Sequence, residues 1–147
     1  MRAVVQRVAS ASVAVGGRDV GRIERGFLVL AGFRKSDTDE TVRWMARKVA
    51  SLRVFDDGSE RMTLALDAVG GRVLVVSQFT LYGDVRKGAR PSFDESAPPA
   101  EARALYDRFV EALRAELPDR VETGEFQAAM QVSLVNDGPV TIVIDRD

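Results

Sequence analysis

The sequence predicts an α+β fold with largely antiparallel pairing, and three observations carry that expectation. Strand-like segments come in neighbouring runs and not in strict βα alternation. One of them, FLVLAGF at 27–33, is a continuous apolar run of the kind buried on both faces of a sheet. Two longer stretches repeat apolar residues at helical spacing. With 147 residues, 46% of them hydrophobic, the chain reads as one domain over 1–147 that can bury a full core without metals or disulfides.

Each element follows in order. Residues 2–15 alternate in period two as one or two strands, Gly16-Gly17 turns, and 18–24 is the hairpin partner. After the 27–33 strand, Ser36-Asp37 marks the start of a helix over 37–53. Asp37, Asp39 and Glu40 suit its first turn, and Val42, Met45, Ala46, Val49 and Leu52 form its apolar face. Asp56-Asp57-Gly58 and Gly70-Gly71 are turns around a short strand at 61–66. VLVVSQFTLY (73–82) is the most apolar strand, interrupted by Ser77, Gln78 and Thr80. A loop with Arg86, Lys87 and Arg90 leads to Pro98-Pro99, which opens the second main helix. Its stripe is Leu105, Phe109, Leu113 and Leu117, and Pro118 stops it. Strands at 125–135 and 140–145 close the chain.

Composition excludes several chemistries. There is no cysteine and no histidine, so thiol nucleophiles, histidine triads, imidazole bases and Cys/His metal sites are all absent. Lysine plus arginine (21) balances aspartate plus glutamate (22), so no global field favours polyanions. The N-terminus lacks the apolar core of a signal peptide, and no run reaches the length of a membrane span. The expectation is a cytoplasmic protein with no membrane partner.

Two short motifs could carry chemistry. In VVSQFTL, a regular strand would put Gln78 and Thr80 on one face and Ser77 and Phe79 on the other. The plain alternative is ordinary strand propensity with side chains bonded to nearby backbone. The functional one is a strand edge opening into a pocket, with amides near Phe79 and Thr80 facing a developing oxyanion. A hydroxyl nucleophile would need a base that histidine cannot supply here. Orientation and electrostatics, helped by a hydroxyl of the substrate itself, are therefore favoured over a side-chain triad. In NDGPVT (136–141), Asp-Gly between apolar runs suggests a hairpin turn, but glycine precedes proline, the reverse of the common turn order. The basic loop is either a solvated face or a phosphate contact. Phe126 and Met130, in phase with Ala128, read most simply as core residues. The acidic residues show no metal-ligand spacing, and no metal or cofactor is expected.

Together SQFTL (77–81) and NDGPVT resemble the signature motifs of the D-aminoacyl-tRNA deacylases. MRAVVQRVASASV at the start, GGRVLVVSQFTL, GARPSF, ALYDRFV and TGEFQAAMQVSLVNDGPVTI extend the resemblance, in order, over nearly the whole chain. The resemblance implies a homodimeric, β-rich, barrel-like domain that hydrolyses the ester between a D-amino acid and the 3′ end of tRNA without a metal. It implies that Ser77, Gln78, Phe79 and Thr80 line the reaction pocket and that Phe126 and Met130 lie near the terminal adenosine. A cis Gly138-Pro139 pair would act across the dimer as a chiral screen that rejects L side chains by clash. Glycine has no side chain to clash, so glycyl-tRNA should be a substrate. Two positions depart from the family's pattern: Thr63, where Asn is frequent, and Gln127, where a small residue is usual. A non-catalytic module that binds RNA 3′ ends on the same scaffold is the alternative, and a hydrolase of relaxed chirality with a trans bond is a further one.

Balanced charge fits a protein that grips only the acceptor end. Binding of aminoacyl-tRNA should show a shallow dependence on salt, with a log–log slope of no more than about 2–3 in magnitude. A titration across salt concentrations tests this, and a slope near 6 would require a phosphate-tracking surface.

Overall fold

The computed structural model describes residues 1–147, and its sheet is organised around the first strand. β1 (Arg2–Val15) is 14 residues long, enough to take different partners along its length. One edge pairs antiparallel with β3 (Gly26–Gly32) through residues 2–8 and with β2 (Arg18–Ile23) through residues 11–15. The other edge pairs antiparallel with β8 (Met130–Asp145), from Arg2 opposite Asp145 to Val15 opposite Met130. Beyond β3, β6 (Arg72–Ser77) and β7 (Val121–Thr123) continue in parallel. The sheet is thus mixed, antiparallel around β1 and parallel past β3.

Period-two alternation sorts the apolar residues onto two faces. Phe27, Val29, Ala31, Val73 and Val75 join a core of 25 buried residues beneath α1 (Asp39–Ser51) and α3 (Pro99–Glu116). Leu28, Leu74 and Val76 point the other way into a cluster of 7, with Val8, Ala11, Val13 and Ile23. This second cluster exists because the sheet curls. At the closing edge β2 meets β7 so tightly that a Cβ on Gly21 would stand 2.5 Å from the Thr123 carbonyl oxygen. The result is a nearly closed, barrel-like sheet with two main helices on its outer face.

The helix stripes are as the spacing predicts. Leu105, Phe109, Leu113 and Leu117 are all buried, with Pro99 in the first turn of α3. α1 begins two residues later than expected. Thr38 caps it, accepting from the Thr41 N–H at 3.3 Å, because Asp37 is engaged elsewhere. The Asp37 carboxylate pairs with the Met1 ammonium and accepts from the Arg34 N–H at 2.8 Å.

Other expectations are corrected. The 73–82 strand ends at Ser77, and Phe79–Tyr82 form a 3-10 turn, so the side chains of SQFT do not alternate between strand faces. The 61–66 strand shortens to β5 (Met62–Leu64), which pairs with β4 (Phe55–Asp56), and α2 (Leu66–Val69) follows as a single turn. Residues 125–129 are irregular, and β7 precedes them. NDGPVT is no hairpin turn: β8 continues past it, but Asn136 lies opposite Val8 and Thr141 opposite Gln6, so 137–140 bulge out of the ladder without partners on β1.

Substituting Gly21→Ala should lower stability by about 1–3 kcal/mol, since the added methyl must push two backbones apart. The urea unfolding midpoint measures it, and an unchanged midpoint would show that the β2–β7 closure is dispensable.

Candidate active site

A chamber of about 780 Å³ opens where β3 and β6 end, lined by 17 residues of which 11 are hydrophobic. The strand ends supply Ala31, Val76 and Ser77, and the chain then leaves the sheet as the 3-10 turn. The first N–H groups of such a turn have no acceptor within it, so the amides of Phe79 and Thr80 start unpaired by geometry. Gln78 sits just before the turn, anchored by its N–H to the Ala31 carbonyl at 2.8 Å. Its side-chain amide donates to the Thr80 hydroxyl.

The opposite wall comes from the segment between β7 and β8. Phe126 is half-buried, its ring centroid 5.6 Å from that of Tyr106, with the Arg103 guanidinium carbon 5.3 Å from its ring centre. Tyr106 is itself fixed through its hydroxyl, which donates to the Val75 carbonyl at 3.2 Å, and burial pushes its pKa up to about 12. Met130 and Val132 complete this wall from the start of β8. Phe126 and Met130 therefore do both: they line the chamber and pack against the two hydrophobic clusters. The mouth is flanked by Phe79 (57% exposed) and Phe93, their ring centroids 5.0 Å apart. Ser96 donates to the Phe79 carbonyl at 3.3 Å.

Of the residues singled out in the sequence, Ser77, Gln78, Phe79, Phe126 and Met130 line the chamber, and Thr80 adjoins it through Gln78. Gly138 and Pro139 do not. They lie eight residues past Met130 on β8, roughly 25 Å away at the rise of an extended strand. Their neighbour on β1 is Arg7, which donates to the Asp137 carbonyl and pairs with Phe27 near the start of β3, whereas the chamber lies where β3 ends. The Gly138–Pro139 peptide bond is cis, and Gly138 has φ +131. A Cβ there would meet the Arg7 guanidinium and the Val140 backbone N–H, each at 3.0 Å.

The basic loop divides. Arg86 is committed to Asp84, whose carboxyl the guanidinium holds down at about 2. Lys87 and Arg90 are exposed and make no ion pair.

Sequence reading missed the residues that hold the Gly-Pro segment. Arg7 is only 7% exposed. It donates through Nε to the Asp137 carbonyl at 3.0 Å and through Nη1 to the Val54 carbonyl at 2.7 Å. The carboxylates of Asp56 and Asp137 stand 3.7 and 3.8 Å away. Asn136 bridges the segment, its carbonyl accepting from the Val140 N–H and its amide donating to Thr141 Oγ1, both at 3.1 Å. One signal was available: Arg7 shares the inward phase of Ala3 and Val5 on β1, where a charge requires buried partners.

Comparison with known proteins defines the class. A family model described as D-Tyr-tRNA(Tyr) deacylase matches residues 4–145. A D-aminoacyl-tRNA deacylase of Thermotoga petrophila is 58% identical over 145 residues, covering 99% of this chain and 97% of its own. One from Pelobacter propionicus is 56% identical over 146 residues, covering 99% and 100%. A solved structure of a c-Myc DNA unwinding element binding protein superposes with TM-score 0.95 at 42% identity, covering 100% of this chain and 99% of the other. A probable eukaryotic D-amino acid tRNA deacylase gives 0.83 at 23% identity over 99% and 98%, a likeness of fold alone. The class is that of hydrolases acting on ester bonds. The chain belongs to the D-Tyr-tRNA(Tyr) deacylase family.

Replacing Arg7 with lysine removes the planar fork that serves two carbonyls at once. Stability should fall by about 1–3 kcal/mol, as expected for an unsatisfied buried carbonyl. Chemical denaturation tests this; a variant as stable as the parent would mean that water replaces the fork.

Proposed function

We propose that this protein hydrolyses the ester joining a D-amino acid to the 3′-terminal adenosine of tRNA. We further infer that it works as a homodimer, with Gly138 and Pro139 of one protomer screening chirality in the chamber of the other. The observation that carries this is a separation within one strand. β8 contributes Met130 to its own chamber and then takes Gly138-Pro139 roughly 25 Å away, onto an edge with no strand partner. That separation supports a role for the pair in a second copy's chamber and not in its own. The same strand exposes Leu134, Val135 and Val143, apolar surface of the kind an obligate partner covers.

The chemistry then follows from what the chamber holds. Water attacks the ester carbonyl carbon, and the carbonyl oxygen takes negative charge in the tetrahedral intermediate. In this reading the amides of Phe79 and Thr80, unpaired within their turn, stabilise that oxygen. Collapse breaks the bond to the ribose oxygen, which leaves with a proton, releasing free amino acid and tRNA. Without histidine or cysteine in the chain, proton movement falls to water and to the substrate's neighbouring ribose hydroxyl. Thr80, tied to Gln78, orients and does not attack. Ser77 lines the same wall.

Selection acts through shape. A rigid Gly-Pro backbone set where an L side chain would project excludes it by clash, and D side chains point elsewhere. Glycine passes because it offers nothing to exclude.

Purified protein should deacylate D-tyrosyl-tRNA at least about 100-fold faster than L-tyrosyl-tRNA, a difference a steric clash of about 3 kcal/mol supplies, and should also deacylate glycyl-tRNA. Equal rates on the D and L esters would sink the chiral screen. Inert glycyl-tRNA would sink its steric basis, and no hydrolysis of any ester would leave an RNA-end binding module.

A further inference from the structure

We propose that the side-chain amide of Gln127 contacts the base of the 3′-terminal nucleoside and sets a preference for adenine, an inference that rests on the deacylase reading above. Gln127 occupies a backbone position built for glycine. The Ala128 N–H donates to the Glu125 carbonyl at 3.2 Å, closing a turn in which Gln127 is the third residue. Its φ is +63. That is the position where a type II turn takes glycine, because an L side chain there crowds its own backbone. Three non-glycine residues have positive φ, namely Glu60, Asp119 and Gln127. Of these only Gln127 lines the chamber. Strain kept at a binding surface points to a use for the side chain.

The surroundings say which use. The chamber's polar side chains are Ser77, Gln78, Ser96 and Gln127. Gln78 is engaged with Thr80, and Ser96 with the Phe79 carbonyl. Gln127 is exposed and makes no hydrogen bond within the chain, so a donor and an acceptor stand free on one planar group. Its neighbour is Phe126, a flat ring held from behind by Tyr106 and Arg103. A fixed aromatic face beside a free primary amide is what a base needs: one stacks, the other reads an edge. Adenine presents an amino donor next to a ring-nitrogen acceptor, the complement of the glutamine amide. Ser77 and Gln78 lie at the end of β6, and Ser96 beside Phe79, on the wall where the ester would react, which leaves Gln127 to the nucleoside.

The test uses two hydrolysis-resistant probes, 3′-(D-tyrosylamino)-3′-deoxyadenosine and the same compound with unsubstituted purine in place of adenine. Calorimetric binding to the wild-type protein should favour the adenine probe about 10-fold. Gln127→Gly and Gln127→Leu should each bring that ratio close to one. Gln127→Gly should at the same time melt no lower than wild type, because the turn then holds its preferred residue, so a lost ratio cannot come from a damaged fold. Retention of the wild-type ratio in both variants would overturn the assignment of Gln127. So would equal binding of the two probes by the wild-type protein, which leaves the deacylase reading standing. Failure of the wild-type protein to bind either probe would overturn both.

Discussion

The pairing of β8 with β1 is the constraint on which the rest of the molecule depends. β1 is shared: one edge holds the curl of the sheet through β2 and β3, and the other holds β8 from end to end. Because β8 has no second neighbour, its register is set by β1 alone. That register places Met130 and Val132 opposite Val15 and Val13, at the chamber, and brings Asn136 opposite Val8. Arg7 then closes the arrangement from within β1, donating to the Asp137 carbonyl. A slip of one residue would turn every side chain of β8 to the wrong face.

The chamber illustrates how little polar chemistry an ester hydrolase of this kind carries. Its walls are mainly hydrophobic, and of its four polar side chains Gln78 is tied to Thr80 and Ser96 to the Phe79 carbonyl. The buried guanidinium of Arg7 sits toward the opposite end of β3 from the chamber and bonds to backbone carbonyls. Donors already held in place need no reorganisation when charge develops on a substrate. A 3-10 turn tied by Gln78 and a ring packed between Tyr106 and Arg103 hold the walls in place.

Much of the fold was legible because burial writes itself into period. The alternation of β1, the doubly buried β3 and the Leu105-Phe109-Leu113 stripe each found their element. What misled was local chemistry. Asp37 looked like a first-turn acid, but a long-range ion pair with the Met1 ammonium claimed it. Phe79 to Tyr82 looked like strand because their apolarity matches the preceding run, yet the chain turns there to line a chamber. The alternation of Phe126, Ala128 and Met130 imitated a strand in a segment that a turn interrupts at Gln127. Residues 77–80 stand out in the sequence as a group and border the chamber together, whereas Arg7, Asn136 and Ser96 act through backbone carbonyls and amides, which leave no spacing pattern to read.

β8 has a further consequence. From Met130 to Gly138 the strand is a ruler whose graduations are residues, and both of its ends do something: one lines a chamber and the other presents a bend at the open edge. Polar side chains between the marks can change, since Gln131 and Ser133 are exposed. Their number cannot, because one residue more or fewer alters span and facing together. Lineages of this protein should therefore record length changes in the β4–β5 hairpin and the 84–96 loop, and none between the two ends of the ruler.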